Sequence, residues 1–176
     1  MPLCLLALGC RLCALCAGPG GPQAKAPGGI PFSLGARTQA MFRNEADDGP
    51  IRVVVVDDLE AIRTLVREMV EDQPDMAVVG EAPNGREGVA DVCRLRPDVV
   101  VMDGDMPIMC GAQATACLTR LLPAVSVVAF SSSPAMADAM LASGARAKAD
   151  KRNTDELVPA IRRVLADRVG RVPRHV

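Results

Sequence analysis

Two spacings of apolar residues alternate along residues 51–165. Ile51–Val56 is a β-branched run broken only by Arg52, and it predicts a strand. Ile62, Leu65, Val66, Met69 and Val70 then recur with the period of one helix face. Ala77–Ala82 predicts a second strand. Asn84 followed by Glu87 is a capping pair that opens a helix through Arg94. Asp98–Met102 predicts the third strand, followed by a loop over Asp103–Gly111 and a helix to about Leu122. Val125–Phe130 predicts the fourth strand. Ser133-Pro134 reads as N-cap and first position of a helix to about Leu141. Arg146–Ala149 is a weak fifth strand. Asn153 and Glu156 form a second capping pair, ahead of a helix lined by Leu157, Val158, Ile161, Val164 and Leu165.

Strands that are apolar on both faces belong inside parallel sheets, and parallel neighbours need crossover helices. The pattern therefore predicts an α/β fold: a doubly wound five-stranded parallel sheet with helices on both faces. Such sheets place their ligand site at the carboxyl ends of the strands.

The periodicity is absent before residue 50. Residues 1–49 are rich in Gly, Pro and Cys and read as a disordered extension, with Met41 a candidate natural start. Cys10, Cys13 and Cys16 stand at metal-binding spacing behind Cys4, but a disordered segment without a stable role is the stronger reading. Met1–Ala17 is apolar, yet Arg11 interrupts it, and it is too short to span a membrane. Residues 50–169 form the expected domain and 170–176 a short tail. Cys93, Cys110 and Cys117 read as ordinary thiols of a reducing, cytoplasmic compartment.

Composition narrows the function. The 176 residues carry a net charge of −1. Arg11, Lys25 and Arg37 all lie in the acid-free first forty residues, so the remainder is more acidic than the whole. That balance excludes a bulk electrostatic grip on nucleic acid. With no Trp, no Tyr and only Phe32, Phe42 and Phe130, stacking on bases is excluded too.

The chemistry lies at the strand ends. Asp57-Asp58 follow the first strand, Asp103 the third and Ser131 the fourth, while Lys151 comes after the fifth. Three converging carboxylates raise one another's proton affinity unless a cation neutralises them. A hard divalent ion, Mg²⁺ or Mn²⁺, suits those oxygens. With the ion and the Lys ammonium offsetting its charge, a phosphoryl group can be accepted there, and Asp103 is the best nucleophile. Taken singly, each residue has a plainer reading. Asp98 and Asp105 read as solvent carboxylates, Ser131 as a capping hydroxyl, and Lys148 and Lys151 as surface charges.

The combination resembles the receiver domain of two-component response regulators, over residues 51 to about 168. Val53-Val54-Val55-Val56-Asp57-Asp58 is similar to the family's opening acid pair. Pro97-Asp98 through Asp103-Gly104-Asp105-Met106-Pro107 to Gly111 resembles its phosphoacceptor segment. Ser131 stands where the family has its switch hydroxyl, and Gly144-Ala145 followed by Lys151 resembles its lysine segment. One such string is weak, but this many in order are strong.

The resemblance implies a flavodoxin-like fold and a set of roles. Asp103 would be phosphorylated by a sensor histidine kinase or a histidine phosphotransfer protein. Asp58 and Asp103, with the backbone carbonyl of Asp105, would bind Mg²⁺ directly, and Asp57 through a water. Lys151 would contact the phosphoryl oxygens, and Ser131 would swing toward the new phosphate. The implied output is a protein contact with an unidentified downstream target. A homodimer stays open, and neither direct nucleic-acid binding nor membrane association is expected.

The sequence departs from the family in three places. Lys148 stands where the fifth strand normally carries an aromatic. Arg152 replaces a proline common after the lysine. No output domain is expected within Gly170–Val176. The missing proline and the Lys-x-x-Thr-x-Glu-Leu string are similar to receivers attached to helix-turn-helix domains. Two alternatives follow: a phosphate-insensitive interaction module or truncated transcription regulator, and a phosphatase of the haloacid dehalogenase type. Asp103-Gly104-Asp105, Ser131 and Lys151 resemble that second family's motifs, but its closing acid pair should follow the lysine rather than precede everything.

Overall fold

In a computed structural model, which describes residues 49–169, the apolar runs become the strands β1 (Ile51–Val56), β2 (Met76–Ala82), β3 (Val99–Met102), β4 (Ser126–Phe130) and β5 (Ala147–Ala149). They form one parallel sheet in the order β2-β1-β3-β4-β5. Helices α1 (Glu60–Glu71), α2 (Gly85–Leu95), α3 (Gly111–Leu121), α4 (Pro134–Ala142) and α5 (Leu157–Val169) connect the strands or follow the last one. The chain winds outward from β1 to β2, then from β3 to β5. The direction reverses between β1 and β3, and at such a switch point the loops part and leave a crevice.

Alternate residues of the central strands feed two cores. Val53, Val55, Val101 and Phe130 face α1 and α5, where Val66, Val70, Leu157 and Ile161 cover them. Val54, Val56, Val100 and Met102 face α2, α3 and α4, where Val92, Leu118 and Met140 lie. Each of these side chains is at most 1% exposed. Burying one Val or Ile is worth about 1.5–3 kcal/mol relative to leaving it in water. The sheet therefore gives the site a rigid floor.

The element ends follow local chemistry. Asn84 Oδ1 accepts from Glu87 N–H at 3.0 Å, and its amide donates to the Glu87 carboxylate, as the capping pair predicts. Ser133 caps α4 by accepting from Met136 N–H, with Pro134 at the first position. The second capping pair behaves differently. The Asn153 amide donates to the Glu156 carboxylate, but no backbone N–H is capped, and a 3₁₀ turn (Thr154–Glu156) precedes α5. Leu65 also departs from the periodic reading: it is 37% exposed, because the buried stripe of α1 centres on Val66 and Val70. Cys93, Cys110 and Cys117 are half-buried cysteines. The N-terminal extension, its cysteines, Met41 and the tail lie outside the described residues.

Candidate functional site

The ends of β1 and β3 are pinned before any side chain acts. Asp57 N–H donates to the Ala82 carbonyl, and Asp103 N–H to the Val56 carbonyl. Pairing across the strand ends carries the next residues over the rim of the sheet, so Asp57, Asp58 and Asp103 converge. One carboxylate oxygen from each lies within 4.8 Å of the others. Asp57 and Asp103 are buried, while Asp58 is exposed.

Lys151 reaches in from the loop after β5. Its Nζ stands 2.6 Å from Asp57 Oδ2 and 2.8 Å from Asp103 Oδ1. One ammonium is thus shared by two buried carboxylates. Burial opposes the ammonium form of Lys151, but its bonds and proximity to Asp103 and Asp57 prevail, and its pKa is held above the usual lysine value. Burial also pushes the Asp57 carboxyl up, and the nearby Asp103 charge adds to the rise. The bonds from Lys151 and from Leu59 N–H oppose it without cancelling it.

The loop after Asp103 is tight. Gly111 N–H donates to the Gly104 carbonyl, and a Cβ on Gly111 would collide with the Asp103 carbonyl oxygen, so only glycine fits. Ile108, 74% exposed, holds φ at +68°, a costly conformation for a β-branched residue. Asp105 lies exposed in this loop, and its carboxylate is outside the cluster.

Ser131 lies beside the cluster, next to Gly104, but its hydroxyl is engaged locally, accepting from Ser133 N–H at 3.1 Å. The Lys151 and Ala149 backbones meet the Ser131 backbone, so Ser131 and Lys151 share one wall of the crevice. Lys148 points away, and its ammonium pairs with Asp138 on α4 at 2.6 Å, with both side chains exposed. Phe130 is core. Asp98, read from sequence as a solvent carboxylate, is half-buried and accepts from Arg52 N–H at the start of β1.

The structure therefore unites Asp57, Asp58, Asp103 and Lys151, with Ser131 adjacent. The donor set fits a hard cation: three carboxylates at one rim, flanked by a single ammonium. One contributor was missed from sequence. Arg63 of α1 donates to the carbonyls of both Asp57 and Asp58. Its signal was a pair of arginines, Arg63 and Arg67, one turn apart on the helix after the acid pair.

Comparison with known proteins places this geometry. The sequence model described as the response regulator receiver domain matches residues 53–162. A protein-glutamate methylesterase/protein-glutamine glutaminase of Methanococcoides burtonii is 40% identical over 82 residues, 47% of this chain and 23% of that protein. Its counterpart in a Nocardioides species is 43% identical over 81 residues, 46% of this chain and 22% of the relative. The chain thus spans less than a quarter of these relatives. Among solved structures, the response regulator domain of Thermotoga maritima CheB superposes with a TM-score of 0.63 at 31% identity, covering 66% of this chain and 97% of that one. The signal receiver domain of NarL from Mycobacterium tuberculosis gives 0.61 at 30% identity, covering 70% and 99%. These relatives, by name methylesterases, differ from the helix-turn-helix regulators that the sequence resembles at Lys151–Leu157. Among the described residues, no helix is long and apolar enough to cross a membrane.

Proposed function

Because this chain belongs to the response regulator receiver domain family, we propose that it accepts a phosphoryl group on Asp103 and signals through protein contacts. The observation that carries this reading is the shared ammonium: Lys151 lies within 2.8 Å of both Asp103 and Asp57, and Asp58 completes the carboxylate cluster. A surface ion pair needs one acid, whereas a site for a divalent ion and a phosphate needs several acids and a cation together.

In the transfer, an Asp103 carboxylate oxygen attacks the phosphorus of a phosphohistidine. The new O–P bond forms as the P–N bond breaks, and the donor histidine, protonated on its other ring nitrogen, takes the bonding pair and leaves as neutral imidazole. Asp57, Asp58 and Asp103, with the Asp105 carbonyl, would hold Mg²⁺ or Mn²⁺, which supplies positive charge to the transferring oxygens. Lys151 turns its ammonium from the carboxylates onto those oxygens. The Ser131 hydroxyl releases Ser133 N–H and donates to the phosphate, drawing the start of α4 with it. The donor is a sensor histidine kinase or a phosphotransfer protein, and the setting is cytoplasmic. The chain turns over no external substrate beyond its own phosphorylation and dephosphorylation.

The test is intact mass after incubation of the full chain with acetyl phosphate and Mg²⁺. A phosphate-sized gain that disappears in Asp103→Ala supports the reading, and no gain under any Mg²⁺ concentration sinks it. Rapid turnover of a phosphoester would favour the phosphatase instead. One observation favours a phosphate-insensitive module: Lys148 lies on the surface with Asp138. In that case, labelling would leave the amide NMR shifts of α4 and β5 unmoved.

A further inference from the structure

Asp58 is exposed, and its placement falls largely to its backbone. That backbone is held from α1. Arg63 Nη1 donates to the Asp57 carbonyl at 2.9 Å and to the Asp58 carbonyl at 3.3 Å. The Arg63 side chain is only 16% exposed, and its Nε lies 3.7 Å from Glu81 Oε2. The other oxygen of Glu81 accepts from Arg67, one helical turn beyond Arg63. Glu81 itself sits on β2, paired in register with Val55 just before the acid pair. Backbone bonds add to the tie, since the Leu59 carbonyl accepts from Ile62 and Arg63 N–H. The acid loop, the first turns of α1 and the end of β2 are thereby fastened through one guanidinium.

The charge balance gives this arrangement a purpose. Lys151 bonds to Asp57 and Asp103, and Asp58 lies beside them without that ammonium. Without a cation, mutual repulsion spreads such a cluster. One guanidinium nitrogen that donates to two successive carbonyls, in a plane whose Nε faces Glu81, resists the spreading and brings positive charge behind the loop. We propose that Arg63 is the positioning residue of the metal-binding loop: it bridges the Asp57 and Asp58 carbonyls, is braced by Glu81, and fixes both carboxylates before a divalent ion arrives. The inference rests on the reading of Asp57 and Asp58 as metal ligands. Ordering done in advance is ordering that binding need not supply.

The experiment is a Mg²⁺ titration of the full chain, followed by amide NMR shifts well below the melting temperature. Arg63→Ala is expected to weaken Mg²⁺ binding on the order of tenfold. Its labelling by acetyl phosphate returns to the wild-type extent at high Mg²⁺. Arg63→Lys keeps the charge without the plane that meets both carbonyls and Glu81 together, and it recovers at most part of the loss. Full recovery by lysine would assign the effect to charge alone and overturn the positioning role. So would an affinity within about twofold of wild type in a cooperatively melting Arg63→Ala. If Arg63→Ala does not fold, Glu81→Gln carries the test, with an expected weakening of about threefold; no change would overturn the proposal. A wild-type chain that binds Mg²⁺ but takes no phosphate sinks the phosphoacceptor reading alone, and one that binds no Mg²⁺ overturns both.

Discussion

The rim of the sheet at β1 and β3 differs in construction from the rim at β4 and β5. On the first side, buried carboxylates, a shared ammonium and a guanidinium are in contact through side chains and backbone alike. On the second, β5 has three residues, and its own Ala149 and the nearby Ser131 and Ala137 are small. They line a cavity of about 440 Å³ that Lys148 borders, and the charged contacts there include the exposed Lys148–Asp138 pair and the Arg152–Asp150 pair. A region that gathers like charges must be fixed from several directions, or repulsion opens it. A region with few large contacts opens at low free energy and can be displaced by a nearby event. The crevice that would take phosphate is thus crossed by several charged contacts, and the side that would report it is lined by small residues and exposed ion pairs.

Four substitutions probe that contrast. The largest effect is expected from Gly111→Ala, whose Cβ would meet the Asp103 backbone rather than a movable side chain. It should cost about 3 kcal/mol in urea denaturation. Lys151→Ala leaves Asp57 and Asp103 facing each other without their cation. It should cost about 2 kcal/mol in EDTA, with most of the loss regained on adding Mg²⁺. If Mg²⁺ restores nothing, the cluster is held by something other than charge balance.

A change of opposite sign is expected from Asp57→Asn. The folded-state pKa of Asp57 lies above its ordinary 3.8, so folding favours the protonated carboxyl. Its contribution is present below that ordinary value and is lost as pH rises through the raised one. The amide stays neutral throughout. In EDTA at pH 7 the variant should therefore melt above wild type by circular dichroism, and the gap should close below pH 3.8. The smallest effect belongs to Lys148→Ala, which removes an exposed pair and should cost less than about 1 kcal/mol. A loss equal to that of Lys151→Ala would erase the distinction between the two sides.

Most of this contrast was legible in the chain. β1, β3 and β4 are buried on both faces, so their apolar runs mark them to within a residue. The acids and Lys151 were found because strand ends converge by topology. β5 was weak because Ala-Lys-Ala has neither β-branching nor a run. The 3₁₀ turn before α5 escaped because Asn153 and Glu156 satisfy each other instead of the backbone. Arg63 escaped for a tertiary reason. Its partner Glu81 faces α1 because the register of β1 against β2 shifts between Val53 and Val54. Strict alternation from Val78 would have turned Glu81 to the other side of the sheet.

That irregularity bears on how the molecule behaves in a crowd. β2 and β5 are the two borders of the sheet, and each border exposes a row of backbone groups to which another chain's strand can add. On β2 the extra residue breaks the evenness of the ladder. On β5 the row is three residues long and carries an exposed lysine at its centre. Lys148, viewed from this side, is a guard against strand-to-strand growth: a second sheet that paired there would have to bury its ammonium or evict it from Asp138.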